Sequence, residues 1–486
     1  MTNKNPKPAR PKYIVGIDGG SQSSKVSIYD LSGNCICSGS QHLQALHSPT
    51  LGVAEHPNDD IWISIASACR EAMQAFPHDL NDILGIGVCT IRCCRVELTA
   101  QGGLASPTLS WMDQRVGQPH NWTDNSAKYL TTTSGYVGFR LTGAFRDTAA
   151  NYEGLWPLDK QNWCWSNNPN VLQQYQLKRE NLFDLVLPGQ ELGRLSKQAS
   201  KETGLPAGLP VIATANDKAV EALGAGLASK QTALISLGTY IGSMVYGPKH
   251  VEKAEHYFSN LACIPHRYLY ESGGIRHGMG TVSWFRELFG DSLLREAKQM
   301  GLSTEDLLNR EAAGIPAGCD GLVTLPEWLA PYDQPHKRGA MLGFHAGHTR
   351  AHMYRSILEA IALTMNNHLG AMLSELDYTC NEVMISGGGS KSDVFMQIFA
   401  DVLGLPTIRN TISDAAGLGS AICVTIATGA YDSFDEAVQA MVRTEDRFEP
   451  NPNNTRFYET LNKDVFTSIG DQLGPIFYNS HKLFNR

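Results

Sequence analysis

The sequence lacks the features that mark several common classes of protein. Its 486 residues include no uninterrupted apolar run near the roughly 18 to 20 residues that a membrane-spanning helix requires. It also lacks an excess of positive charge, because 40 basic residues face 48 acidic ones and the formal net charge is −8. A broad cationic surface for nucleic acid or an anionic membrane is therefore not expected. We expect a small-molecule ligand, no nucleic-acid partner and no membrane partner.

Two common nucleotide-binding fingerprints are missing as well. The sequence has no GxxxxGK[ST] phosphate loop, and no GxGxxG joins a predicted strand to a predicted helix. A nucleotide, if one binds, must be held by a different loop geometry.

The start of the chain lacks the apolar core of a signal peptide, because the basic, proline-rich segment 1–12 is followed directly by a short β-like run. The 11 cysteines are odd in number and spread through the chain. Together these features predict a cytoplasmic protein with reduced thiols. Cys89, Cys93 and Cys94 do cluster, and we interpret them as small packed side chains, since a metal site would need further partners at ligand spacing.

Strand and helix patterns interleave along the chain. Alternating apolar residues predict strands at 13–18, 25–30 and 35–40, a helix follows over 59–76, and the run "ILGIGVC" predicts a further strand. A chain of this length usually needs more than one hydrophobic core. The sequence therefore predicts an α/β protein with two large domains.

The opening hairpin has a counterpart near the middle of the chain. Gly20 lies in the turn of the first hairpin, and Gly238 lies in a similar turn within "QTALISLGTYIGSMVYG", 218 residues later. Such a repeat predicts two halves of similar topology that face each other across a cleft, although glycine turns in hairpins are common. We place the domain boundary near Gly226, which gives domains 1–226 and 227–486.

The first turn, "DGGSQSSK", has the composition of a phosphate-binding loop. Its glycines let backbone N–H groups approach phosphate oxygens, and the segment adds hydroxyl donors and one positive charge. Asp18, at its start, would repel phosphate unless a cation intervenes, so its expected role is to orient Mg²⁺ through water. A simple Asx-type turn is the alternative. The candidate phosphate contacts of this loop are Gly20, Ser21, Ser23, Ser24 and Lys25.

Two further segments carry candidate chemistry. Asp217 follows an apolar strand and precedes a helix, where it would act as the general base of a phosphoryl transfer or simply as a helix N-cap. The triplet 387–389 joins a strand to a helix, where backbone N–H groups can approach a ring or a phosphate. A tight strand-to-helix turn is the alternative for the triplet.

The ordered motifs "DGGSQSSK", "SWMDQR", "NDKAVEALGAG", "ISLGTYIG" and "SGGGSKSDVFMQIFADVLG" resemble those of the FGGY carbohydrate kinases, over nearly the whole chain. The resemblance implies two actin-like, ribonuclease-H-like domains with a central cleft, an ATP-dependent sugar kinase and Mg²⁺ as cofactor. By position it implies that Asp217 is the catalytic base and that Asp18 and Asp217 serve the metal. The implied nucleotide contacts are Asp18, Gly20, Ser21, Gly238, Thr239, Gly280, Ser283, Gly388 and Ser392.

The substrate residues depart from those of well-known relatives. Arg92 lies where glycerol kinases have an arginine, but Cys93 replaces their next residue, a glutamate, and the Met-His pair of xylulokinases is also absent. Glycerol is therefore not expected. Asp113 matches an acidic position that xylulokinase-like members use on the sugar, so Arg92 and Asp113, together with Asp217, are the predicted substrate residues. A structural ion pair is the alternative for Arg92, and Asn151 is a further substrate candidate.

We therefore expect a kinase that phosphorylates a small ketose or polyol, with a pentulose as the first choice. A kinase for a sugar-derived signal or another acyclic polyol is one alternative, and an actin-like ATPase module that acts on a protein partner is another. A homodimer is compatible with each of these three functions. His345, His348 and His352 have a spacing that zinc could use on a helix, but we interpret them as a solvated helix start.

Overall fold

The computed structural model describes residues 12–50, 52–227, 229–331, 334–411 and 414–484, and the proline-rich start of the chain lies outside these ranges. The first half of the chain contains the helices α1 (Asp60–Ala75), α2 (Thr133–Thr142), α3 (Pro169–Gln174), α4 (Lys197–Thr203) and α5 (Asp217–Gly224). Its strands are β1 (Tyr13–Gly19), β2 (Ser23–Asp30), β3 (Cys35–His42), β4 (Glu55–His56), β5 (Ile83–Thr90), β6 (Val96–Thr99), β7 (Thr108–Leu109), β8 (Ala127–Thr131), β9 (Arg146–Thr148), β10 (Leu158–Asp159), β11 (Cys164–Trp165), β12 (Asp184–Val186), β13 (Glu191–Arg194) and β14 (Pro210–Ala213).

The second half contains the strands β15 (Thr232–Leu237), β16 (Ile241–Gly247), β17 (Tyr257–Leu261), β18 (Tyr268–Ser272), β19 (Val323–Leu325), β20 (Ala340–Leu342), β21 (Glu382–Gly387), β22 (Thr407–Asn410) and β23 (Thr444–Phe448). Its helices are α6 (Gly278–Gln299), α7 (Thr304–Ala313), α8 (Arg350–Leu376), α9 (Asp393–Leu403), α10 (Ala415–Ala427), α11 (Phe434–Met441), α12 (Pro452–Leu461) and α13 (Thr467–Phe484).

The two large sheets repeat one topology. In the first sheet the strand order is β13-β14-β5-β1-β2-β3, with β1 antiparallel to β2 and parallel to β5, which is in turn parallel to β14. In the second sheet the order is β17-β18-β16-β15-β21-β22-β23, with β15 antiparallel to β16 and parallel to β21, which is parallel to β22. The predicted α/β class and the predicted repeat are thus confirmed.

Helices form where the sequence gives one apolar face. Helix α1 covers β2 and β3, and its buried side chains recur at helical spacing; they include Ile61, Trp62, Ile65, Cys69 and Ala72. The long helix α8 is buried along most of its first five turns and packs on α9. Among the described residues, no helix combines the length and apolarity that a membrane span requires.

Helix α10 joins the two halves of the chain. Although its sequence belongs to the second half, it packs on β1, β5 and α5 of the first. Close backbone approach makes this possible: a Cβ at Gly16 would lie 2.1 Å from the carbonyl oxygen of Gly417, and one at Gly87 would lie 2.2 Å from that of Ser420. One buried apolar cluster consequently contains residues of both halves. The proposed division at Gly226 stays a prediction.

The crossing of α5 and α10 generates a prediction about stability. A Cβ at Gly224 would lie 1.8 Å from the carbonyl oxygen of Ala415. Gly224→Ala should therefore lower the free energy of unfolding by about 1–3 kcal/mol or more, as overpacking does. Gly370→Ala in α8 is the matched control, because nothing lies within 4 Å of its Cβ position and alanine favours a helix over glycine by about 0.8–1.0 kcal/mol. Thermal unfolding of both variants and of the wild type checks this prediction. Equal melting temperatures for Gly224→Ala and Gly370→Ala would contradict it.

Candidate active site

The candidate site lies where three parallel strands of the first sheet end. Asp18 is near the end of β1, Arg92 follows β5, and Asp217 follows β14. The carboxyl ends of neighbouring parallel strands meet at one edge of a sheet, where α/β proteins bind their ligands. Residues that are far apart in the sequence are in this way brought to one cleft.

A cavity of about 770 Å³ in the cleft is lined by residues of both halves. Ser21 of the first predicted phosphate loop and Thr239 of the second both line it, together with Arg92 and Asp217. The two loops and the predicted base therefore face one space.

The first loop is a tight turn between β1 and β2. The Gly20 amide donates to the carbonyl of Ser23 at 3.1 Å, and Ser21 is exposed toward the cavity. Ser23 and Lys25 lie in β2, with Lys25 exposed, whereas the Ser24 hydroxyl is buried against that of Ser64 at 2.7 Å. Of the predicted hydroxyls and the lysine in this loop, only Ser21 lines the cavity.

The second loop is held by the start of helix α6. The amides of Gly278 and Met279 donate to the carbonyls of Thr239 at 2.8 Å and Gly238 at 3.1 Å. Gly280 and Ser283 lie in the first turns of the same helix. The predicted second phosphate loop and the predicted contact at 280–283 are therefore adjacent.

The glycine triplet lies beside the second loop, because Gly387 pairs with Leu237 at the ends of the parallel strands β21 and β15. Gly387 has φ 85°, and a Cβ there would lie 2.5 Å from the Leu237 carbonyl oxygen. No atom lies within 4 Å of the Cβ position of Gly388, so its backbone is open to a ligand. Ser392 caps α9 and also donates to Asn309 Oδ1 at 2.9 Å. The residues 280, 283, 388 and 392 do not line the cavity that contains Asp217.

Asp217 is not the N-cap of its helix. Asn216 has that role, because its side chain accepts from the amides of Lys218 and Ala219. Asp217 Oδ1 is buried without a hydrogen-bond partner. Burial raises the pKa of the Asp217 carboxyl, while the charges of Arg92 and Lys218 lower it in part. Because Asp217 lines the cavity and one of its carboxylate oxygens is buried without a partner, it fits a base or a cation ligand better than a structural role.

Lys218 is a site residue that the sequence interpretation passed over. Its ammonium donates to Glu221 at 2.8 Å and to the Ser236 hydroxyl at 2.7 Å, and Ser386 donates to Glu221 from the neighbouring strand at 2.5 Å. Lys218 itself lines the cavity, and its Nζ lies about 4.0 Å from the Cβ position of Gly238. The sequence feature that could have pointed to Lys218 is its position directly after Asp217 in "NDKA".

Arg92 is held by a residue of the other half of the chain. Its two terminal nitrogens donate to Glu271 Oε1 at 2.6 Å and Oε2 at 2.7 Å, and the Asn260 amide also donates to Glu271. Burial lowers the pKa of Arg92, but the charge and hydrogen bonds of Glu271 outweigh burial, so the pKa is raised. Arg92 thus lines the cavity and also forms an ion pair, the alternative that the sequence left open.

The structure corrects the prediction for Asp113. Asp113 is 1% exposed and does not line the cavity. Its carboxylate accepts from the Ala54 amide at 2.8 Å and from two nitrogens of Arg115 at 2.8 and 2.6 Å, which leaves little capacity for a sugar. Its neighbour in the motif, Trp111, lines the cavity instead. Asn151 is also buried away from the cavity and donates to Asp147 at 2.7 Å.

Other cavity residues had no clear signal in the sequence. Glu153 is 6% exposed, and its pKa is raised by burial although Lys160 lowers it in part. Cys93 lines the cavity with φ 61°, an unusual backbone angle for a residue with a side chain. The remaining lining residues that sequence interpretation missed include Gly154, Tyr240, His250, Tyr257, Phe258 and Asn260.

The electrostatics of the cleft fit a cation near the first loop. Burial and the charges of Asp414 and Asp217 raise the pKa of Asp18 to about 7, so these carboxylates are destabilised without a counter-charge. Mg²⁺ commonly takes one or two carboxylates and completes its shell with water and phosphate oxygens. Asp18 and Asp217 suit this mode of binding. No group of three or more metal-ligating side chains occurs among the described residues.

The histidine segment does not form a metal site. Helix α8 begins at Arg350, so His345 and His348 precede it, and only His352 lies within it. His352 Nε2 and Asp320 Oδ2 are 3.3 Å apart. These histidines cannot therefore share one helical face as their spacing alone allowed.

Comparisons with known proteins agree with this geometry. Residues 13–125 match the family model described as the N-terminal domain of the FGGY family of carbohydrate kinases, and residues 233–428 match its C-terminal domain. An uncharacterised sugar kinase of Escherichia coli K12, YgcE, is 46% identical over 98% of this chain and 96% of its own. An autoinducer-2 kinase of Yersinia pseudotuberculosis is 25% identical over 96% of this chain and 95% of its own.

Among solved structures, the xylulose kinase of Rhodospirillum rubrum matches with a TM-score of 0.79 at 23% identity, over 96% of this chain and all of that one. The similarity supports the predicted two-domain fold with a central cleft. It bears on the fold alone.

The charge of Asp18 generates a prediction about pH. With a folded pKa of about 7 against about 3.9 when unfolded, the ligand-free protein binds the Asp18 proton more tightly when folded. Its stability should therefore fall as pH rises from 4 to 7. Asp18→Asn removes this loss, so its melting temperature in chelator should exceed that of the wild type increasingly from pH 5 to pH 8.

Differential scanning fluorimetry across this pH range checks the prediction. Asp471→Asn, on exposed α13, is the matched control for the loss of one carboxylate. A difference between Asp18→Asn and wild type that does not vary with pH would contradict it.

Proposed function

Because the chain belongs to the FGGY family of carbohydrate kinases, we propose that it transfers the γ-phosphate of ATP to a hydroxyl of a small ketose or polyol, with a five-carbon ketose as the first choice. The observation that carries this proposal is the shared cavity of Ser21, Thr239 and Asp217. Two phosphate loops and a buried base on one space suit phosphoryl transfer to a bound hydroxyl.

In this proposal Asp217 accepts the proton of the acceptor hydroxyl as its oxygen attacks the γ-phosphate. Its raised pKa makes it a stronger base than an exposed aspartate. The charges of Arg92 and Lys218 lower that pKa in part and so favour the ionised carboxylate. Asp217 lines the cavity, and its Oδ1 makes no hydrogen bond that would compete with the proton.

The phosphates are held from both sides of the cleft. We assign the hydroxyls of Ser21 and Thr239 to the phosphate oxygens, together with those backbone N–H groups of the two loops that are not used within the turns; the Gly20 amide, which donates to Ser23, shapes the first turn instead. Lys218 has three N–H donors, of which Glu221 and Ser236 accept two. The remaining donor and the positive charge suit a developing phosphate oxygen.

Asp18 and Asp217 are the residues that would hold Mg²⁺. When bound, this ion would offset negative charge on the β- and γ-phosphate oxygens. Gly388 and Ser392, with the turn at Gly280 and Ser283, are proposed for the adenosine end of ATP, because they adjoin the second phosphate loop outside the substrate cavity.

A second candidate is a kinase for a sugar-derived signal. The autoinducer-2 kinase of Yersinia pseudotuberculosis, which matches over nearly the whole chain, favours this alternative. An ATPase module that acts on a protein partner is a third, but a carbohydrate-sized cavity beside the proposed base argues against it.

The role of Asp217 is tested by Asp217→Asn. We expect a loss of kcat of about 10²- to 10⁴-fold, the usual contribution of a general base, with a folded protein that still binds ATP. Folding should be retained because Asn216, and not Asp217, caps the helix. Asp435→Asn, near the start of α11 and outside the cavity, is the control. Turnover close to wild type would refute the assignment.

The acceptor is tested with a panel of ketoses, polyols and autoinducer-2, by measuring ATP consumption and the mass of each product. We expect the strongest stimulation by a pentulose or pentitol, with one phosphoryl group added. Stronger stimulation by autoinducer-2 would favour the second candidate. Stimulation by no carbohydrate but by a protein partner would favour the module and exclude the sugar kinase proposal.

A further inference from the structure

The ion pair between Arg92 and Glu271 joins the two sides of the substrate cavity. Arg92 follows β5 of the first sheet, and Glu271 lies on β18 of the second. Arg92 lines the cavity, whereas Glu271 lies behind it with 4% of its surface exposed. The second half of the chain thereby controls a residue that the first half presents to the substrate.

The geometry of this pair fixes what Arg92 can offer a ligand. A guanidinium carries five N–H donors in a plane, and Glu271 accepts two of them, one on each oxygen. The other three remain for ligand oxygens. Hydroxyl groups can accept such bonds singly. A ligand carboxylate could still use the free Nε–Nη edge, as Asp113 does on Arg115, but it would meet a guanidinium whose positive charge Glu271 already offsets.

The other positive side chains of the cavity are also neutralised. Lys160 lies 3.7 Å from the Glu153 carboxylate, and Lys218 lies 2.8 Å from that of Glu221. Burial lowers the pKa of His250 below its usual value, which favours the neutral imidazole. Every basic side chain that lines the cavity is thus either paired with a carboxylate or kept neutral.

We propose that Glu271 is a specificity-determining residue, which neutralises Arg92 from the second domain and so restricts the acceptor to uncharged carbohydrates. Aldonates and other sugar acids would be rejected, because Glu271 already offsets the charge of Arg92 that would attract their carboxylate, and a second carboxylate on the same guanidinium would be repelled by Glu271. Asn260 supports this role by holding one oxygen of Glu271 in place. This inference rests on the proposed function and adds the charge class of the substrate.

The test compares neutral and acidic acceptors of one chain length. D-xylulose, xylitol and D-xylonate are measured as substrates for the wild type and for Glu271→Gln. The wild type should use a neutral acceptor and not D-xylonate. In Glu271→Gln the charge of Arg92 is no longer offset, so the ratio of kcat/KM for D-xylonate to that for the best neutral acceptor should rise about tenfold or more.

Two variants separate charge from position. Glu271→Asp keeps the negative charge but shortens the side chain, so we expect it to lower kcat/KM for all acceptors and to retain the rejection of D-xylonate. Glu252→Gln removes one negative charge from an exposed residue at the cavity rim without touching Arg92, and its ratio should stay near that of the wild type. If Glu271→Gln does not fold, Glu271→Ser repeats the measurement with a smaller uncharged residue.

Three outcomes would overturn the inference. The first is an unchanged ratio in Glu271→Gln with all acceptors affected equally, as expected if the pair only holds the domains together. The second is a wild type that phosphorylates D-xylonate as well as the neutral acceptors. The third is an equal rise in the ratio for Glu252→Gln, since the effect would then be the overall charge of the cavity.

A binding measurement keeps this test separate from that of the proposed function. If the wild type phosphorylates no acceptor of the panel, the proposed function fails, and calorimetric titration with D-xylonate still judges Glu271. Binding to Glu271→Gln and not to the wild type supports the inference. Equal binding to both proteins, or binding to neither, overturns it.

Discussion

The structure depends on the contact between helix α10 and the first sheet. Gly16 and Gly87 leave no room for a side chain between the strands and the helix, and Gly224 does the same where α5 crosses it. Because α10 belongs to the second half of the chain, this contact fixes one sheet relative to the other. The residues Arg92 and Asp217, which follow strands of the first sheet, can therefore face the loop at Thr239 across one cavity.

That arrangement brings several buried ionisable groups together at one cleft. Burial and neighbouring carboxylates raise the pKa of Asp18, and burial raises that of Asp217. The positive charges of Arg92 and Lys218 lower the pKa of Asp217 in part. Both residues are themselves held by carboxylates, Arg92 by Glu271 and Lys218 by Glu221. Under the proposed function, the carboxylates of such a cleft would attract a metal ion, and its fixed N–H groups would donate to oxygens of a ligand.

Much of the fold was predictable because it follows from local patterns. Alternating apolar residues predicted the strands, and the spacing of Gly20 and Gly238 predicted the repeated topology, which is confirmed. The sequence also singled out Asp217, Ser21 and Thr239, which line one cavity, because each lies in a short segment at a strand end; their roles stay predictions. Asp113 was predicted to bind the sugar, but its carboxylate is held by Arg115. A motif position near the cavity cannot by itself show whether a carboxylate binds a ligand or a neighbouring side chain.

Glu271 had no signal, for a reason that follows from the repeat itself. An internal repeat shows what the two halves share, namely a sheet, a hairpin and a phosphate loop. The side chains around Arg92 are instead not repeated: Glu271 lies on β18 of the second sheet, and the Lys160 carbonyl in the β10–β11 hairpin accepts from Tyr268 of the same strand at 3.0 Å. Pairs of this kind form only when both halves are folded against each other. Under the proposed function, recognition of the acceptor would therefore depend on the contact between the halves, whereas the proposed phosphate loops can be predicted from the sequence of each half.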